Sequence, residues 1–151
     1  MEMLYAGIDV SKDRLDVHLV PGGEAFAVPR NGEGLGELCR RLREREPALI
    51  AVEATGGFET VVAASLAAAE LPVVVVNPAQ VRSFARAIGT RAKTDPVDAL
   101  VIARFAEATK PAPRPLPDAD TRQLADLVAR RRQIIAMIVA DKQREQRASA
   151  P

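Results

Sequence analysis

Two short apolar runs that each end in an acid constrain this chain most. Leu4-Tyr5-Ala6-Gly7-Ile8 runs into Asp9, and Leu49-Ile50-Ala51-Val52 runs into Glu53. Apolar runs this short, with no polar alternation, read as strands covered on both faces. Val73-Val74-Val75-Val76, introduced by Pro72, is a third and the clearest buried strand. Between and beyond them lie helix-length segments. One spans about 32–45, opened by Asn31 as a cap and stopped before Pro47; an Ala-rich one lies near 58–70; another runs from about 78 to the break at Gly89.

The chain begins differently. Residues 4–10 form the first strand, and after the Ser11-Lys12-Asp13 turn Arg14 to Val20 alternates polar and apolar, the mark of a half-exposed strand. Pro21-Gly22-Gly23 is turn chemistry, and Glu24 to Val28 reads as a third strand. An antiparallel meander followed by alternating helix and strand gives an α/β fold, a mixed sheet with helices packed on its faces. A further helix is predicted to start at Asp95-Pro96, with proline in its favoured first turn, and to run to about Thr109.

Residues 110–117 carry four prolines in eight positions and read as an extended spacer. Beyond them 118–147 reads as one long helix. Its stripe of Leu124, Leu127, Val128, Ile134, Ile135 and Ile138 approaches a heptad seam. Such a helix needs a partner for its apolar face, most simply its copy in a homodimer. The expected organisation is an α/β domain at 1–109, a linker at 110–117 and a coiled-coil or dimerisation segment at 118–151.

The bulk numbers narrow the function. A chain of 151 residues is one ordinary domain with an appendage. Its 48% apolar content with only 3% aromatics suits a Val-rich buried sheet. A net charge of +1 provides no global field toward nucleic acid, so any such surface is local. The single cysteine, Cys39, excludes an internal disulfide framework and a Cys-based zinc site, and lies in phase with Leu35, Leu38 and Leu42 as a packing residue. Neither a signal-peptide pattern nor an apolar run of membrane-spanning length occurs, so the expectation is a soluble, cytoplasmic protein with no membrane partner.

Asp9, Glu53, Asp95 and Asp98 are the residues that speak about chemistry. Taken singly, each has a structural explanation: Asp9 can bond the turn at Ser11 and Lys12, Glu53 can be an ordinary polar residue at a strand exit, and Asp95 and Asp98 make a good helix start. Together, three segments deliver acid to one edge of one sheet, and four anions so placed repel unless a cation gathers them. A hard divalent ion with oxygen ligands does that, Mg²⁺ being usual beside phosphates and Mn²⁺ its substitute. The chemistry that uses such a set is phosphodiester cleavage or transfer. Arg82, Arg86, Arg91 and Lys93, with no acid between residues 78 and 93, offer contacts to a phosphate backbone, as does Lys12 beside Asp9. His18 reads as a surface residue, and Phe26, Phe58, Phe84, Phe105 and Tyr5 as core, which leaves no aromatic stacking platform.

Four ordered motifs carry a resemblance: Gly7-Ile8-Asp9-Val10-Ser11-Lys12, Val52-Glu53-Ala54-Thr55-Gly56, Val76-Asn77-Pro78 and Lys93-Thr94-Asp95-Pro96-Val97-Asp98-Ala99. The pattern resembles the N-terminal domain of DEDD-type insertion-sequence transposases, relatives of pilin-gene invertases. The resemblance implies a ribonuclease-H-like (RuvC-like) fold over about residues 4–109. It also implies a catalytic metal site on Asp9, Glu53, Asp95 and Asp98, the DNA of an insertion element as substrate and, in related members, a structured guide RNA. Members continue into a C-terminal domain whose serine is proposed as a nucleophile. Ser11, Ser65, Ser83 and Ser149 fall outside that match, so the expectation is a fragment that binds metal without completing recombination alone.

Two other readings share these features. Sugar-kinase and actin-like ATPases also open with a strand ending in Asp after Gly-Ile, and Thr55-Gly56-Gly57 would then be a phosphate turn; that leaves Asp95 and Asp98 without a role. A non-catalytic, dimeric nucleic-acid-binding fragment is the third.

Overall fold

The first apolar run becomes strand β1, Tyr5–Val10, at the centre of a five-stranded sheet of order β3-β2-β1-β4-β5. A computed structural model describes residues 2–54, 56–89, 98–113 and 119–149. Strand β2 (Arg14–Val20) and strand β3 (Ala25–Pro29) complete the antiparallel meander on one side of β1. Strand β4 (Leu49–Glu53) and strand β5 (Val73–Val76) lie parallel to β1 on the other. This is the mixed α/β sheet with flanking helices expected of a ribonuclease-H-like domain.

Helix α1 (Gly32–Arg45) starts where the Asn31 carbonyl oxygen of the side chain takes the Gly34 N–H at 2.8 Å. It ends at Glu46, whose left-handed backbone returns its N–H to Leu42. Helix α2 (Phe58–Ala68) follows the Gly56-Gly57 turn, and helix α3 (Pro78–Ala87) is capped by Asn77 with proline in its first turn. Helix α4 (Ala99–Thr109) packs on β1, β2 and β4 and meets α3, whereas α1 and α2 pack on β3, β4 and β5 and on each other.

Alternation along the strands decides which side chains share a face. Tyr5, Val20, Leu49, Ala51, Val74 and Val76 join Val81, Ala85, Ile102, Phe105 and Ala106 in one core between the sheet and helices α3 and α4. Phe84 meets Phe105 edge to face at 5.7 Å. By the same alternation Asp9, two residues beyond Gly7, and Glu53, two beyond Ala51, belong to the α4 face. Gly7 makes that arrangement possible. A Cβ there would run into the backbone of Ala99 and Ala103, so only glycine lets α4 lie directly on β1.

One predicted boundary is corrected. The helix expected from Asp95-Pro96 is described from Ala99, and Asp98 is not in its first turn but is its N-cap, with extended backbone. The reason is local: the Asp98 carboxylate accepts the Val101 N–H at 3.0 Å, satisfying a donor that a helix start leaves open. Asp95, Arg91 and Lys93, and part of the 110–117 linker, lie outside the described residues.

The chain divides into two units, Met1–Arg114 and Pro115–Pro151. The second contains helix α5, Ala119–Ala148. Leu127, Ile134, Ile135, Met137, Ile138 and Val139 are exposed on it, a broader apolar surface than a narrow heptad seam. No helix among the described residues is long and apolar enough to cross a membrane.

Candidate active site

Strand ends and helix starts meet at one edge of the sheet. Parallel strands β1 and β4 both finish there, in register through Ile8 and Val52, so the next residues, Asp9 and Glu53, stand side by side. Glu53 is only 5% exposed, the one charged residue in the buried set among the described residues. Among the described residues neither its carboxylate nor that of Asp9 has a hydrogen bond or ion pair. Burial pushes the Glu53 carboxyl above its ordinary range, the charge of Asp9 adds to this, and Arg82 from α3 partly offsets it. Burial likewise raises Asp9, with Asp16 adding and Arg14 offsetting.

The turn that Asp9 was free to stabilise is closed without it. Ser11 donates both its N–H and its hydroxyl to the Arg14 carbonyl, at 3.0 and 2.9 Å. Glu53 is no ordinary strand-exit residue either, being buried beside another acid. Asp98 does serve as a helix cap, and it lines with Asp9 one cleft between β2 and the start of α4. Asp9, Glu53 and Asp98 are thereby brought to one region. Among the described residues, however, no three His, Cys, Asp or Glu side chains group closely enough to hold a metal in common.

Two adjacent carboxylates without hydrogen-bond or ion-pair partners among the described residues, one of them buried, fit a hard divalent cation by charge and donor type. Such an ion would supply the countercharge that Arg82 and Arg14 provide only in part.

Three neighbours of Asp9 were not legible as site residues. The β1–β2 register pairs Asp9 with Asp16 and Gly7 with His18, on the face that carries the site. Arg14 clamps Asp16 with two contacts, 2.9 and 3.1 Å. His18, expected on the surface, is half-buried in the same cleft, and burial together with Arg104 lowers its pKa. A tight turn at 11–13 was the signal: it fixes which residue of the returning strand faces Asp9. Phe58 corrects a second expectation. It is 42% exposed rather than core, because it opens α2 directly after the glycine turn at the sheet edge. Of the basic residues, Lys12, Arg82 and Arg86 are exposed; Arg82 acts on Glu53, whereas Arg86, in the last turn of α3, contacts Ser83 at 3.3 Å.

Residues 6–148 match the DEDD_Tnp_IS110 family model, described as a transposase. The chain belongs to this DEDD transposase family. Pilin gene-inverting proteins of Moraxella lacunata and Moraxella bovis are each 26% identical to it over 117 residues, 74% of this chain. The chain spans 36% of the length of these curated relatives. Among solved structures, Thermus thermophilus RuvC in complex with a Holliday junction substrate aligns over 74% of this chain and 99% of its own, with 20% identity and a TM-score of 0.49. A ROK hexokinase from Thermus thermophilus aligns over 62% of this chain and 40% of its own, with 17% identity and a TM-score of 0.41.

Proposed function

We propose that this DEDD domain is the metal-binding catalytic part of a transposase that cleaves and rejoins phosphodiesters of insertion-element DNA. The observation that carries the reading is the buried Glu53 beside Asp9, without a hydrogen bond or ion pair among the described residues. A buried acid next to a second acid destabilises the fold unless a countercharge or a proton neutralises it, and functional sites are where such arrangements persist. Asp9, Glu53 and Asp98, with Asp95 from outside the described residues, are the proposed Mg²⁺ ligands, and Mn²⁺ is the substitute. When bound, the ion supplies charge neutralisation and polarisation at a phosphodiester.

The chain's own residues do the rest. Arg14 holds Asp16 away from a competing role at Asp9. Arg82 keeps positive charge near Glu53, favouring its ionised form. Arg82, Arg86 and Lys12, with Arg91 and Lys93, contact backbone phosphates and position a strand without reading bases. The exposed apolar surface of α5 associates with its copy in a homodimer.

Calorimetric titration of Mn²⁺ into the chain tests this reading. Wild type binds, and Asp9→Asn, with an unchanged circular dichroism spectrum, binds at least about tenfold more weakly. Equal affinity in the variant removes Asp9 from the site.

A further inference from the structure

The carboxylate edge carries a feature that the metal reading does not use. Arg30, one residue past β3, lays its guanidinium over the Phe58 ring, 4.1 Å from the centroid. Its Nε donates to the Lys12 carbonyl at 2.6 Å, which ties it to the turn that follows Asp9. Phe58 stands five residues past Glu53, at the first position of α2. Arg30, Lys12 and Phe58 thus gather at the strand ends that deliver Asp9 and Glu53.

Ordinary packing does not account for the cluster. An aromatic side chain this exposed forgoes much of its burial energy, and the guanidinium covers one ring face, so the exposed area lies on the remainder. Arg30 has no carboxylate partner among the described residues. The other pair of this kind, Arg41 over Phe26 at 3.9 Å, differs: Phe26 is half-buried in mid-strand. Phe58 itself is 42% exposed, and the glycines before it, Gly56 and Gly57, are open as well, an added Cβ meeting nothing within 4 Å. The α2 end is not itself the anion site, since the Glu59 carboxylate already accepts the Gly57 N–H at 3.0 Å. Phosphate is thereby directed to Arg30 and Lys12.

We propose that Phe58, Arg30 and Lys12 form a nucleotide subsite for an unpaired stretch of DNA, the base stacking on Phe58 and the adjoining phosphate meeting Arg30 and Lys12. The assignment rests on the DNA-processing reading of the neighbouring carboxylates. A base inside a duplex presents no free face, so the subsite takes a strand that is single or splayed next to the cleavage point. Every base has a π-face, so recognition here tolerates sequence.

The chain contains no tryptophan, so Phe58→Trp installs a single tryptophan at the subsite, read apart from Tyr5 by its longer-wavelength excitation. The full chain carrying it is titrated, with EDTA present, with a short single-stranded DNA oligonucleotide and with the same sequence as a blunt duplex. Affinities of wild type, Phe58→Ala and Arg30→Ala are measured by anisotropy, with melting curves to verify folding. The expected result is saturable quenching by the single strand and little by the duplex. Phe58→Ala weakens single-strand binding about tenfold, and Arg30→Ala weakens it as well. Wild-type binding that is unchanged in Phe58→Ala, or binding without any quenching in Phe58→Trp, overturns the subsite and leaves the metal reading standing. Absence of DNA binding by every variant and by wild type overturns the subsite, while the Mn²⁺ titration decides the metal reading separately.

Discussion

Replacing Gly7 by alanine is the substitution whose effect follows most directly from the geometry. The new methyl would press against the backbone of Ala99 and Ala103, with the Ala103 Cα only 2.9 Å away. Carbon atoms rest about 3.5–4.0 Å apart, so α4 must withdraw by about 1 Å. Neither obstacle is a side chain able to rotate aside. Overpacking of this kind costs about 1–3 kcal/mol, and backbone on the receiving side puts Gly7→Ala toward the upper end. For a domain of this size that lowers the melting temperature by roughly 5–12 °C. The same displacement carries Asp98 away from Asp9, beyond the tolerance of about 0.5 Å that a preorganised site allows, so Mn²⁺ affinity falls too. Gly36→Ala is the control. It lies mid-helix in α1 with nothing within 4 Å of an added Cβ, and should stabilise by about 0.5–1 kcal/mol. The assay is thermal unfolding by circular dichroism, followed by metal titration. A Gly7→Ala protein that melts with wild type and binds Mn²⁺ equally refutes the close packing of α4 on β1.

Other substitutions separate the roles of individual residues. Glu53 has a folded pKa above its ordinary 4.5, so the folded chain holds a proton that the unfolded chain has released. Stability therefore falls as pH rises from about 4.5 through the raised value; without metal, Glu53→Gln should melt higher than wild type at pH 7, with the gap closing below about pH 4. A wild type and variant that keep the same gap at both pH values contradict this. Asp98→Asn keeps a capping oxygen and should retain stability while losing metal affinity, whereas Asp98→Ala should lose both, with about 0.5–2 kcal/mol of stability; unchanged Mn²⁺ titrations in the two variants would leave Asp98 only a cap. Ile135→Glu combined with Ile138→Glu should convert a dimer to a monomer in sedimentation velocity, and an unchanged mass places self-association off α5.

What could be read from the sequence, and what could not, follows from the kind of signal involved. Strands β1, β4 and β5 were legible because each is an apolar run with a definite stop; the meander was legible too, but not that β4 pairs with β1 and β5 with β4. The start of α4 was less so. Asp95-Pro96 and Asp98 are both good helix openers, and only the bond from Val101 to Asp98 decides between them. Asp9 and Glu53 announced themselves by ending buried strands. Asp16 did not, since an acid on an alternating strand is unremarkable until register sets it opposite Asp9. Phe58 was misread because residue type favours the core, whereas its place after two glycines, at a helix start on the sheet edge, favours exposure. Arg30 lies 28 positions from Phe58 in sequence, and no local pattern announces their contact.

Anomalous diffraction from crystals grown with Mn²⁺ tests the central claim most directly. The account predicts a peak within coordination distance of the Asp9 and Glu53 carboxylates, with Asp98 contributing directly or across the cleft, and its loss in Asp9→Asn crystals. Manganese bound elsewhere, or no peak beside Glu53 at saturating Mn²⁺, would contradict it.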